Sequence, residues 1–223
     1  MDSNEIESNE KIFGKLRGGI FAILTLIAVG FGIVLALFFY LPEDSYSILS
    51  NYISDLGAGP TNSRIVFSIG MIFGAIFMII LIISISKYLK DKEVRTQVIW
   101  GFKGAGLVAE IGLLFIGIFP LDRALVFAYS MHYLAAIIFF SFTAISNIYL
   151  GFIEYKDSDF SKIMAIISFL SGTFAAIFIG WFVIQETELF PPYAFIYLSE
   201  WTFFALISLW LIIHGLYFMK KRE

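Results

Sequence analysis

Glu110 stands in the run GLVAEIGLLFIGI, where no opposite charge lies within one helical turn on either side. Placing a carboxylate at the centre of a bilayer costs about 2.5–3.5 kcal/mol on insertion scales, so such a residue must be neutral, paired or beside a hydrated cavity. Lys103 lies seven residues earlier in the same run and can reach back along its long stem towards the nearer surface. His214 falls in a later apolar run at a depth similar to Lys103, where a histidine can bridge helices or carry a proton. A second group collects at the far ends of these runs: Ser54, Asp55, Asp122, Arg123, His132 and Glu200. Carboxylates and a histidine at one depth can perform acid–base chemistry, ligate a metal or grip a polar head group, with Arg64 or Arg123 available to a phosphate.

The inventory also excludes chemistry. Cysteine is absent, which removes thiol nucleophiles, disulfides and cysteine-ligated metals. Two histidines, His132 and His214, are too few for a three-histidine zinc site, although a mixed histidine and carboxylate site stays open. No nucleotide-binding fingerprint or catalytic motif is present, so no catalytic residue, metal ligand or cofactor is assigned and no nucleic-acid partner is expected.

The elements that must position these side chains are plain from composition. The chain has 223 residues, 59% hydrophobic and only 15% charged, against about 25% charged in a soluble domain. Apolar runs near 18–41, 65–89, 96–119, 127–152, 163–185 and 195–219 are each long enough to cross about 30 Å of hydrocarbon. The expected fold is all-α: a polytopic membrane protein built as a bundle of six transmembrane helices. Residues 1–17 form a polar tail, 18–219 a single membrane domain and 220–223 a basic end. Of the 15 lysines and arginines, twelve flank the runs on one side, Arg64 and Arg123 flank the other, and Lys103 is inside a run. The positive-inside rule then sets both termini in the cytoplasm.

The longest connection, 42–64, carries its own signal. Tyr46, Leu49, Tyr52, Ile53 and Leu56 recur at helical spacing, with Ser47, Asn51, Ser54 and Asp55 on the other side. Asp44 or Ser45 can cap a start, and Gly57 followed by Pro60 gives a stop. The expectation is a short amphipathic helix lying at the outer interface. Small residues at Gly70/Gly74, Gly172/Ala176/Gly180 and Gly101/Gly104/Ala105/Ala109 predict close helix packing.

The run NYISDLGAGPTNSRIVFSIGMI resembles the signature that follows the first span in an uncharacterised prokaryotic six-span membrane family. More distantly, it is similar to the damage-regulated autophagy modulator (DRAM) and GPI-anchor-remodelling group. GLVAEIGLLFIGIFPLD, then His132 with FFSF, then SEWTFF agree with that pattern in order. The resemblance implies six helices, cytoplasmic termini and a lipid-related or membrane-regulatory role, and it directs attention to Ser54, Asp55, Pro60, His132 and Glu200. The function expected first is engagement of a lipid or amphiphile in an outer-facing polar pocket, with membrane lipids as partners. Two others stay open: proton- or cation-coupled movement of a small solute along Lys103, Glu110 and His214, or an accessory subunit that binds a partner membrane protein or a second copy of itself.

Overall fold

The structure is a computed structural model that describes residues 18–41, 45–119, 121–122, 125–186 and 194–220, with the backbone alone at 185 and 186. Six α-helices account for most of it: α1 (Gly18–Tyr40), α2 (Thr61–Asp91), α3 (Thr96–Ile118), α4 (Val126–Lys156), α5 (Lys162–Glu186) and α6 (Ala194–Lys220). Each contains a stretch long and apolar enough to cross a membrane. Lys11, Lys15 and Arg17 of the tail, the cap Asp44, Arg123 and the basic residues after Lys220 lie outside the described residues.

Each helix packs chiefly on its neighbours in sequence, and α6 returns to pack on α1, so the six close into a ring. Phe31, Val34 and Phe38 of α1 and Ile65, Ile69 and Phe73 of α2 are exposed on the outside of the ring. An apolar exterior is unfavourable in water and suits a lipid solvent, which accounts for helices apolar on all sides. Small residues set the helix spacing. A Cβ at Gly70 would lie 2.9 Å from Gly32 Cα, and one at Gly112 would lie 2.7 Å from Phe139 N, so α1–α2 and α3–α4 meet backbone to backbone. The seam that closes the ring is the tightest: a Cβ at Gly19 of α1 would collide with the Gly215 carbonyl of α6. Gly104 and Gly180, singled out by spacing, face open space instead.

The α2–α3 turn is closed by Val94 N–H donating to Leu89 O and Glu93 N–H to Lys90 O, with Glu93 in the left-handed region at φ 57°. This is the Schellman arrangement, here without its usual glycine.

The connection between α1 and α2 differs from the expected amphipathic α-helix. Ser47–Asn51 is a turn, Tyr52 is extended (φ −70°, ψ 154°), and only Ile53–Gly57 is helical, as a short 3-10 segment. The helix breaks because side chains of the polar face bond locally: Asn51 Oδ1 accepts from Ser47 N–H, and Asp55 Oδ2 accepts from Tyr52 N–H and from Asn51 Nδ2. Such side chains compete with the backbone ladder. Nor do its apolar residues form one continuous face. Ile53 and Leu56 are buried, Leu49 is exposed, and the 3-10 turn touches α1, α2 and α6 at the end of the ring opposite Gly18 and Lys220.

Candidate functional site

A narrow cavity of about 110 Å³ runs down the inside of the ring. On α4 its lining extends from His132 to Thr143, and on α6 from Glu200 to Leu211, which at 1.5 Å per residue is about 16 Å, or half the hydrocarbon thickness.

The distal end, away from the termini, is roofed by the 3-10 turn. Glu200 is buried on α6, and its Oε2 accepts from Ile53 N–H at 2.8 Å, joining residues 147 apart in sequence. Ser63 Oγ donates to Leu56 O at 2.8 Å and fastens the far side of the turn to α2. Tyr52 fits its ring among Phe178, Phe182 and Tyr197, with the Tyr197 ring at 4.6 Å between centroids. Tyr46 donates its hydroxyl to Tyr52 O at 2.8 Å. Burial, and then the Glu200 and Asp55 carboxylates, push the Tyr46 phenol well above its usual range, so it stays a donor. His132 is buried on α4 with Nδ1 2.7 Å from Phe119 O. Because a carbonyl only accepts, Nδ1 carries the hydrogen, and Nε2 is the nitrogen left for a ligand.

Ser54, His132 and Glu200 therefore line one cavity. Asp55 and Asp122, grouped with them by sequence, do not line it. The Asp55 carboxylate turns back on its own loop, where it caps the 3-10 turn. Asp122 pairs with Arg64 at 3.6 Å, both partly exposed, so Arg64 is engaged away from the cavity. No three His, Asp or Glu side chains among the described residues are grouped to hold a metal ion.

Of the intramembrane set, only Glu110 reaches the cavity. It is 3% exposed, and its Oε2 has no hydrogen-bond partner. Lys103 reaches back to the Trp100 ring, with Nζ 5.3 Å from its centroid. His214 is fully buried against a residue that the sequence reading left outside the spans, Glu154, with Nε2 2.5 Å from Oε1. Glu154 Oε2 accepts from Ser168 Oγ at 2.7 Å, and Ser168 Oγ accepts from Trp210 Nε1 at 2.9 Å. The Trp210 ring stacks on His214 at 4.1 Å. A sixth-helix histidine, a fourth-helix carboxylate and a fifth-helix serine thus lock α4, α5 and α6 together near the terminal end. The available signal for Glu154 was helix length: α4 has 31 residues, about 46 Å, and outruns the span that hydropathy alone marks.

The ring of apolar-faced helices, with buried polar groups turned to an inner cavity, defines an integral membrane protein. The chain belongs to the family described as "Protein of unknown function (DUF998)", whose model matches residues 26–217. No curated protein and no solved structure matches it.

Proposed function

We propose that this protein binds an elongated amphiphile, a membrane lipid or a molecule of similar build, inside the helix ring. The polar end of the ligand would sit at Ser54, His132 and Glu200, and its body would run along the apolar walls. The observation that carries this reading is the continuity of one narrow cavity from those polar groups past Phe140, Phe178 and Phe203. A long, thin, mostly apolar space with a few convergent polar groups is the usual build of a small-molecule site.

Native mass spectrometry of the purified protein tests the reading. A bound amphiphile should survive purification, and His132→Ala and Glu200→Gln should each lower its occupancy several-fold while the melting temperature stays within a few degrees. Glutamine at 200 keeps an oxygen for Ile53 N–H, so the roof should hold. Equal occupancy in wild type and both variants would reject the site. Loss of stability without loss of ligand would return both residues to a structural role.

A further inference from the structure

Three buried polar atoms along the cavity lack partners: Glu110 Oε2 on α3, Thr143 Oγ1 on α4 and Ser208 Oγ on α6. Glu110 and Thr143 are 3% and 7% exposed. Buried polar atoms are nearly always hydrogen-bonded, so three orphans in one cavity need an explanation.

The helix registers bring them within about two helical turns of one another along the bundle. Gly106 of α3 meets Ser146 of α4, and Gly112 meets Ala135 and Phe139, which brackets Glu110 opposite Thr143. Between α4 and α6, Phe140 meets Phe203 and Glu154 meets His214, which places Ser208 within about one helical turn of Thr143. The three side chains come from three helices that face the same narrow space. All three atoms can accept a hydrogen bond.

The charge of the lining is one-sided. It includes two carboxyl groups, Glu110 and Glu200, and no lysine or arginine. Arg64 is turned to Asp122, so a phosphate or carboxylate head has no fixed cation to meet inside. The walls between the carboxyls are rich in aromatic faces, including Phe139, Phe140, Phe178, Phe203 and Phe204. Aromatic faces attract cations, most strongly where water is excluded.

We infer that the ligand is an organic cation, an alkyl-bodied primary amine whose ammonium donates to Glu110 Oε2, Thr143 Oγ1 and Ser208 Oγ about halfway through the membrane. A primary ammonium has three donors for the three orphaned acceptors, and its charge neutralises the Glu110 carboxylate. This rests on the reading of the cavity as an amphiphile site and adds a second polar group to that ligand: the ammonium lies at the inner end of the alkyl body, and the end held by Ser54, His132 and Glu200 lies at the other.

The test uses the full chain in detergent micelles, titrated with 1-aminodecane, 1-decanol and decanoate, with binding read by native mass spectrometry and by the shift in melting temperature. The quantity compared is the ratio of amine to alcohol affinity in wild type and variants, which cancels partition into the micelle. Wild type should prefer the amine over the alcohol by about tenfold or more relative to Glu110→Gln, as expected for a lost charge-assisted hydrogen bond, and decanoate should bind weakest. Thr143→Val, which keeps the shape and removes the hydroxyl, should lower amine affinity several-fold and spare the alcohol. It decides the matter if Glu110→Gln fails to fold. An amine-to-alcohol ratio unchanged by these variants, or decanoate binding as well as the amine, would overturn the cation assignment and leave the amphiphile site standing. Binding of none of the three compounds would remove the amphiphile reading itself.

Discussion

At the scale of single residues, the polar groups of this protein divide into those whose bonding is complete and those whose bonding is not. The Glu154–His214 pair is complete. His214 Nδ1 is 2.8 Å from Trp210 O and must donate to it, so Nε2 and Glu154 Oε1 share one proton between them. Ser168 supplies the second carboxylate oxygen with a donor. Removing one member of such a pair leaves the other buried without compensation. His214→Phe should therefore cost about 3–5 kcal/mol, whereas the double substitution Glu154→Leu, His214→Phe should cost less than His214→Phe alone. Thermal or denaturant unfolding of the wild type, the singles and the double measures the coupling, and additive losses would show that the two groups do not depend on each other. Glu110 is the opposite case, with an oxygen left open towards the cavity. The contrast is physical: a satisfied buried pair stabilises one arrangement, and an unsatisfied group retains its attraction for something brought from outside.

At the scale of elements, the ring depends on how closely helices approach. Among the described residues, α1 and α6 pack along one another although they are distant in sequence, and their seam rests on Gly19 against Gly215. No chain connection holds these two helices together, so their spacing is set by side-chain size alone. Gly19→Val places branched methyl groups against the Gly215 carbonyl and should destabilise the protein by about 1–3 kcal/mol, the usual cost of overpacking. The same change at Gly104, which faces open space, should have little effect on packing. A matched pair of melting curves decides it, and equal loss at the two positions would mean that helix propensity, not the seam, governs the cost. The α1–α2 connection makes a related point. Its hydrophobic spacing fits a helix, but Ser47, Asn51 and Asp55 satisfy the backbone locally and Glu200 draws Ile53 N–H inward, so a roof forms instead.

At the scale of the whole molecule, the ring places both described termini, Gly18 and Lys220, at one end and the 45–60 connection at the other. Applied to the distribution of lysine and arginine, the positive-inside rule predicts a cytoplasmic terminal end. Because the chain has no cysteine, single substitutions report without background. Ser47 and Ser158 are both exposed, at opposite ends of the bundle. In intact cells an impermeant thiol reagent should modify Ser47→Cys and reach Ser158→Cys only after permeabilisation. The reverse pattern would invert the topology, and with it the side from which the cavity is roofed.

The sequence by itself determined that this is a six-helix membrane protein, because apolar length and the scarcity of charge depend on the bilayer as solvent and not on how helices are arranged. It also located Glu110, His132, Ser54 and Glu200 as polar residues whose position needed a reason. Only the tertiary structure decided which of them share a space. Depth along a helix can be counted from sequence, but direction around the ring cannot, and it is direction that turns Asp55 and Asp122 to local partners while Glu110, Thr143 and Ser208 face one cavity. Glu154 shows the same limit from the other side. Its partner His214 is 60 residues away on a helix that is not its neighbour in the chain, so nothing short of the packed ring brings the two within a hydrogen bond.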